Sequence, residues 1–120
     1  MKKTVLLVDD TSSIRDLVKI TLEEAGYAVL PAVDGLDGLK HLDGKPIHLV
    51  ITDLNMPNMD GIEFIRNIRS MRDYLHTPIL LFSTESAEVK KRAREAGATG
   101  MIEKPMMKEE MLTHVKRLAR

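Results

Sequence analysis

The 120-residue chain has no cysteine and no tryptophan, and only two tyrosines and two phenylalanines. The absence of cysteine excludes disulfides, thiolate metal sites and cysteine nucleophiles, and it is typical of a reducing compartment. The longest apolar runs, such as VLLV and ILLF, are far shorter than the roughly 18 residues of a membrane span. Lys2 and Lys3 precede only about five apolar residues, too few for a signal peptide. We therefore expect a cytoplasmic protein that does not bind membranes.

An excess of charge of one sign is also missing, because 18 acidic residues balance 18 basic ones. This balance argues against a nucleic-acid-binding domain, which would rely on a strongly basic surface. The chain is nevertheless asymmetric: residues 1–85 contain 9 Lys/Arg and 13 Asp/Glu, whereas residues 86–120 contain 9 and 5. The basic last part is either an ordinary solvated helix surface or a docking face for an acidic partner.

Short apolar runs that are each followed by a segment with helical spacing are the main structural signal. The five runs are TVLLV, YAVL, HLVIT, PILLF and GMIE. This alternation predicts βα units built around a parallel sheet. A chain of this length buries enough surface to fold without a metal or a disulfide. We expect one domain over residues 1–120, with no output domain.

The composition of the runs predicts the order of the strands. The first, third and fourth runs are apolar throughout, as in strands that helices cover on both faces. Pro31 abuts the second run and Glu103 ends the fifth, which favours edge positions for both. Right-handed crossovers then give the order 2-1-3-4-5, a flavodoxin-like, doubly wound (βα)5 fold of the α/β class.

The helical segments have apolar faces and recognisable ends. In the first helix the residues expected on one buried face are Ile14, Leu17, Val18, Leu22 and Ala25. The second helix, around residues 36–42, is interrupted by Gly38. The third begins at Asp60, an N-cap acid with Glu63 three residues later. Its buried residues are expected to be Ile62, Ile65 and Ile68.

Polar residues follow four of the predicted strands, and in such a sheet ligands bind at the carboxyl ends of the strands where the order reverses. The residues are Asp9, Asp10, Asp53, Ser83 and Lys104. Each alone could cap a helix, start a turn or lie on the surface. Together, carboxylates about 5 Å apart repel by about 3 kcal/mol per pair at an effective dielectric constant near 20. A cation is therefore expected among them.

The types of side chain at this rim indicate the chemistry. Ligands that are all oxygen favour a hard divalent ion, which in a cell is Mg²⁺. A carboxylate, Mg²⁺, the ammonium of Lys104 and the hydroxyl of Ser83 around one point are typical of phosphoryl transfer. Asp53 is the candidate nucleophile, which would form an acyl phosphate.

Several motifs resemble those of response-regulator receiver domains, in particular the chemotaxis type, and the resemblance extends along the whole chain. They are VDD at 8–10, DLNMPNMDG at 53–61, Ser83 with Thr84 and Glu85, AGA at 96–98 and Lys104-Pro105. The resemblance implies that Asp53 is the phosphoacceptor for a histidine kinase and that Lys104 and Ser83 assist it. It implies a signalling module in chemotaxis or motility that catalyses only its own phosphorylation and dephosphorylation.

The resemblance also implies the ligands of the metal. Asp10, Asp53 and the backbone carbonyl of Asn55 would bind Mg²⁺, with Mn²⁺ as an alternative ion, and Asp9 would act through water. The Lys104-Pro105 bond would be cis, which costs little before proline.

The resemblance further implies residues that set the dephosphorylation rate and residues that transmit the signal. Asn55 and Glu85 flank the line of attack and would set the rate of dephosphorylation. Ser83 is the hydroxyl of the switch, but Met101 stands where the family has an aromatic residue, and a thioether has no polar tip. The output would be a protein of unknown identity that binds the face formed by the fourth helix, the fifth strand and the fifth helix.

Other functions compete with an effector of this type. A receiver can also serve as a phosphate shuttle or sink in a phosphorelay. An Mg²⁺-dependent aspartyl phosphatase of the haloacid-dehalogenase type normally has a second acid two residues after its nucleophile, where this chain has Asn55. A flavodoxin-like cofactor binder would need aromatic residues around the flavin, and the pair Asp9 and Asp10 would repel its phosphate.

Overall fold

The structure, a computed structural model, describes residues 2–83, 86–104 and 108–120. Within these residues it has five strands: β1 (Thr4–Val8), β2 (Ala28–Ala32), β3 (Leu49–Asp53), β4 (Ile79–Ser83) and β5 (Gly100–Glu103). The helices are α1 (Ser12–Glu24), α2 (Gly35–Lys40), α3 (Gly61–Arg69), α4 (Ala87–Ala96) and α5 (Lys108–Leu118), and a short 3-10 turn covers Arg72–Tyr74. The predicted cis bond to Pro105 and the predicted role of Glu85 fall outside the described residues.

The five strands form one parallel sheet in the order β2-β1-β3-β4-β5. The predicted order is confirmed, and with it the doubly wound, flavodoxin-like α/β fold. Pro31 lies in the edge strand β2, where a missing backbone N–H is tolerated. The register pairs Asp53 with Phe82, and Ser83 with Glu103. The carboxyl ends of neighbouring strands therefore lie at the same rim.

Helices cover both faces of the sheet, so the strands are apolar on both sides. Leu6 and Val8 point into the core formed with α2, α3 and α4, whereas Val5 and Leu7 point into the core formed with α1 and α5. Fully burying one such aliphatic side chain stabilises the fold by about 1.5–3 kcal/mol. These contacts supply the free energy that offsets the burial of charged groups at the rim.

Helix α1 does not bury the whole face that its sequence suggests. Val18 and Leu22 are buried as predicted, but Leu17 is 66% exposed and Ala25 is exposed, so the prediction is wrong for these two. The buried stripe runs through Thr21 instead, whose hydroxyl donates to the carbonyl of Leu17 at 2.8 Å. Consecutive helical residues point about 100° apart, so Leu17 faces solvent when Val18 faces the sheet.

Gly38 does not interrupt α2; it allows the helix to pack closely. A Cβ at this position would lie 2.8 Å from the tip of the Phe64 ring. Phe64 is itself fully buried on α3. The glycine is therefore required by a contact between two helices.

Helix α3 begins as predicted and lies directly against the end of β3. The Asp60 carboxylate accepts a hydrogen bond from the Glu63 N–H at 2.8 Å. Its predicted core residues, Ile62, Ile65 and Ile68, are at most 1% exposed. Phe64, on the same helix, is fully buried as well. Gly61 is so close to the main chain of Asp53 that a Cβ would overlap the Asp53 carbonyl. The first residue of α3 thus fixes the position of the last residue of β3.

Among the described residues, no helix combines the length and the apolar character that crossing a bilayer requires.

Candidate functional site

Three carboxylates and one ammonium converge at the rim of the sheet. One carboxylate oxygen from each of Asp9, Asp10 and Asp53 lies within 4.8 Å of the other two. The Lys104 Nζ lies 3.0 Å from Asp53 Oδ1 and 3.5 Å from Asp9 Oδ2. Asp9 and Asp53 are buried, whereas Asp10 is exposed. The structure therefore brings together the charged groups that the strand ends predicted.

Asp9 has a structural role as well as a place in this cluster. Its Oδ1 accepts a hydrogen bond from the Thr11 N–H at 2.8 Å, which shapes the turn into α1. Its backbone carbonyl accepts a hydrogen bond from Arg15 at 2.6 Å. Its other oxygen faces Lys104. The side chain, 1% exposed, is thus held from both sides.

Asp53 is buried with its charge only partly compensated. Burial raises the pKa of its carboxyl group, the hydrogen bond and charge of Lys104 lower it, and the charge of Asp9 raises it. The Leu54 N–H and Lys104 both contact Oδ1, at 2.9 Å and 3.0 Å. Both of these contacts are made by Oδ1, and among the described residues no hydrogen bond or ion pair is seen at Oδ2.

The cluster fits a hard divalent cation. Its donors are all carboxylate oxygens, which Mg²⁺ prefers. Each of the three residues has an oxygen within 4.8 Å of the other two, so one cation among them could be reached by all three with a small adjustment. Asp10 is exposed, so its side chain can adjust to such an ion.

Phe82 is a part of the site that the sequence analysis missed. The Lys104 Nζ lies 5.1 Å from the centroid of its ring, within the range of a cation–π interaction. Phe82 is the strand partner of Asp53 and is 6% exposed. Its position at the end of an apolar run is the only local signal. The contact with Lys104 depends on the strand register, which the run does not reveal.

The other predicted site residues lie around this cluster. Ser83 is buried at the end of β4, one residue beyond the strand partner of Asp53. Asn55 is exposed in the loop after β3. Met101 is half-buried in β5 and lines a cleft of about 330 Å³ between α4 and β5. Glu85 lies outside the described residues.

We expect Phe82 and Lys104 to be energetically coupled. In a double-mutant cycle of Phe82→Leu and Lys104→Met, the free energies of unfolding should show a coupling of about 0.5–2 kcal/mol. The coupling arises because either substitution alone already removes the cation–π interaction. The control cycle pairs Lys104→Met with Phe64→Leu, a phenylalanine of the opposite core. Coupling no larger than in the control, where about 0.3 kcal/mol is expected, would contradict the interaction.

Comparison with known proteins places this geometry in a family. The family model described as "Response regulator receiver domain" matches residues 5–116. The chain is 39% identical to the chemotaxis protein CheY-3 of Vibrio cholerae over 103 aligned residues. The alignment covers 84% of this chain and 79% of that protein. It spans only 17% and 50% of the length of two other curated relatives, a sensor kinase/phosphatase and a transcriptional regulatory protein.

Solved structures give the same result. The structure of Vibrio cholerae CheY4 superposes with a TM-score of 0.94 at 40% identity, over 98% of this chain and 99% of that one. The receiver domain of the sensor histidine kinase PA1611 from Pseudomonas aeruginosa, described with a magnesium ion coordinated in its active site cleft, shares the fold. Its TM-score is 0.91 at 21% identity, over 99% and 98% of the two chains. The match along nearly the whole sequence and the shared architecture show that this chain belongs to the response-regulator receiver family.

Proposed function

We propose that this receiver domain accepts a phosphoryl group on Asp53 from the phosphohistidine of a histidine kinase, in a two-component system that controls chemotaxis or motility. The observation that carries the proposal is the arrangement at Asp53: a buried carboxylate with two further acids within 4.8 Å and an ammonium at 3.0 Å. The similarity of the chain to CheY-3 and CheY4 supports chemotaxis as the process that it controls. On this proposal the chain is a signalling module that catalyses only its own phosphorylation and dephosphorylation.

Asp53 Oδ2 would be the nucleophile. Oδ1 is held by the Leu54 N–H and by Lys104, whereas Oδ2 has no such contact with the described residues and would attack phosphorus. The new O–P bond forms as the N–P bond to the donor histidine breaks, and the imidazole leaves with the electron pair and takes up a proton. Burial raises the pKa of Asp53, and a more basic carboxylate is a better nucleophile in its ionised form.

Asp10, Asp53 and the backbone carbonyl of Asn55 would hold Mg²⁺ or Mn²⁺, as receiver domains hold Mg²⁺ at an acidic site of this kind. When bound, the ion supplies positive charge that offsets the carboxylates and the phosphoryl oxygens. Asp9 suits an indirect role through water, because its Oδ1 is engaged by Thr11 and its Oδ2 faces Lys104.

Lys104 and Ser83 would stabilise the phosphorylated state. In the unmodified protein Lys104 pairs with Asp53 at 3.0 Å and with Asp9 at 3.5 Å, so its single positive charge partly offsets the two carboxylates. Once Asp53 carries the phosphoryl group, the ammonium can pair with a phosphoryl oxygen, and the Ser83 hydroxyl can donate to another. The ring of Phe82 restricts the ammonium to this region during the exchange.

The central claim is tested by incubation with acetyl phosphate and Mg²⁺ followed by intact-mass analysis. We expect the wild type to gain one phosphoryl group and Asp53→Asn to gain none, because the amide is not a nucleophile. Omission of Mg²⁺ should slow the labelling of the wild type. Asp43→Asn, which removes an exposed acid near the α2–β3 loop, serves as the control and should label normally. An unlabelled wild type, or equal labelling of Asp53→Asn, would refute the proposal.

The side chains of Asn55 and Glu85 would set the lifetime of the acyl phosphate by ordering or obstructing the hydrolytic water. We expect Asn55→Leu and Glu85→Leu to change the rate of decay, measured after removal of the donor. In Asn55→Leu the affinity for Mg²⁺ should stay nearly unchanged, because the backbone carbonyl remains. Glu88→Leu, on the exposed surface of α4, is the control. Decay at the wild-type rate in both variants would rule this role out.

The output protein would bind the face formed by α4, β5 and α5. The cleft in this face is lined by Met101 together with Lys90 and Arg94. Lys90 is paired with Glu103 at 3.6 Å, whereas Arg94 is exposed and forms no salt bridge within the described part of the chain. Basic side chains next to the flexible, apolar Met101 suit an output protein with an acidic surface. No nucleic acid or membrane is expected to bind there.

Phosphorylation should change the equilibrium of this face, which hydrogen exchange can measure. We expect exchange of the backbone amides of α4 and β5 to change by about five-fold or more on treatment with donor and Mg²⁺, the usual size of such couplings. Amides around Tyr74 provide the internal reference, and Asp53→Asn treated in the same way is the control. Labelled protein with unchanged exchange in α4 and β5 would argue against this output route.

A further inference from the structure

The loop between β3 and α3, residues 54–60, carries Asn55 and is fixed at both ends. The Gly61 N–H donates to the Leu54 carbonyl at 2.7 Å, which closes the loop. Gly61 also packs against the main chain of Asp53, leaving no space for a Cβ. The middle of the loop contains Asn58 with a φ of 71°, in the left-handed region. Asparagine tolerates this conformation better than most residues, but it still needs support from its surroundings.

That support comes from the N-terminus of α2. The Asn58 side-chain amide donates to Asp34 Oδ2 at 3.0 Å, while Asp34 Oδ1 accepts from the Asp37 N–H at 2.8 Å. One carboxylate therefore holds the start of α2 with one oxygen and the site loop with the other. Both hydrogen bonds lower the pKa of Asp34, the one from Asp37 more than the one from Asn58. The carboxylate thus stays charged, and hydrogen bonds to a charged acceptor are the stronger kind.

A second contact lies beside the first. The Met59 side chain packs on Gly35, where an added Cβ would lie 3.0 Å from the Met59 sulfur. The N-terminus of α2 and the loop are thus joined by one polar and one apolar contact. Both contacts lie on the loop residues between Asn55 and α3, so they determine how the loop is placed relative to the rim.

We propose that Asp34 and Asn58 are positioning residues for the metal site: their hydrogen bond holds loop 54–60, and with it the backbone at Asn55 whose carbonyl would bind the ion. This inference rests on the proposed Mg²⁺ site. Mg²⁺ requires nearly ideal octahedral ligands at about 2.0–2.1 Å, so a small displacement of one carbonyl is costly. Groups that orient metal ligands typically change metal affinity by about 10–100-fold when they are removed.

The variants can separate this role from charge and from helix capping. Asp34→Ser keeps an N-cap hydroxyl for Asp37 but removes the second acceptor. Asn58→Gly keeps a residue that accepts positive φ but removes the amide. Asp34→Asn removes the negative charge, but its amide oxygen can still accept from the Asp37 N–H while its NH₂ group donates to the Asn58 amide oxygen, once the Asn58 amide has turned over. It is therefore the conservative rescue.

The experiment measures Mg²⁺ dissociation constants by NMR titration of the whole chain at constant ionic strength. We expect Asp34→Ser and Asn58→Gly each to weaken binding about ten-fold. The double variant should be no weaker than either single one, because both remove one interaction. Asp34→Asn should stay within about two-fold of the wild type. Hydrogen exchange at the Met59 and Gly61 amides should accelerate in the two weakened variants, with or without Mg²⁺.

Tyr74→Phe supplies the control for loss of stability alone. The Tyr74 hydroxyl accepts from the Gly44 N–H at 2.8 Å and donates to the Lys45 carbonyl at 2.9 Å, tying together segments outside loop 54–60. Its removal should lower the midpoint of urea unfolding and leave Mg²⁺ affinity unchanged.

Each failure points to a different claim. A wild type that does not bind Mg²⁺ would overturn the metal site, and the inference with it. A wild type that binds while Asp34→Ser and Asn58→Gly bind equally well would overturn only the positioning role. Equal losses in Asp34→Asn and Asp34→Ser would assign the effect to charge, which also overturns the positioning role.

Discussion

The ammonium of Lys104 lies between two buried carboxylates, and much of the structure serves to hold these three charges together. Asp9 and Asp53 would repel each other strongly in a buried site without a cation. The single charge of Lys104 reduces this repulsion, and the Phe82 ring lies 5.1 Å from the ammonium on a further side. The apolar strands on either side supply the stability that makes this concentration of charge tolerable.

The parallel sheet is what allows three chain segments to meet at this point. Asp9, Asp53 and Lys104 are far apart in sequence, yet Asp53 is the last residue of a strand and the other two directly follow one. Because each strand end is fixed by its neighbours and by helices on both faces, the site needs few contacts of its own. The elements after the strands are adapted to it: Asp9 shapes the turn into α1, and Gly61 places α3 against β3.

The sequence was sufficient to predict the fold and the gathering of charges, because both follow from local patterns. The strands are short apolar runs, Pro31 and Glu103 mark the edges, and the acids stand where the runs stop. Leu17 was placed wrongly because periodicity alone does not show which of two adjacent apolar residues faces the sheet. The reason for Gly38 is a distant ring, that of Phe64. These errors concern non-local packing.

The contacts of Lys104 with Phe82, and of Asp34 with Asn58, were missed for the same reason. In each pair the partners are more than twenty positions apart, and neither residue belongs to a pattern that points to the other. The metal-binding role of the Asn55 carbonyl and the switch role of Ser83 came from family resemblance, whereas the place of Ser83 at the rim followed from the strand ends. Local sequence patterns thus predict where the charged residues gather, but they do not predict the long-range contacts that support them.

The close approach of Gly61 to Asp53 has a consequence for how the sequence can vary. Any side chain at position 61, even a methyl group, must push the main chain of the acid at the centre of the site. A residue with no functional group is thereby as restricted as the residues that carry the charges. A substitution there would act on the site directly, through the backbone, whatever the chemical nature of the new side chain.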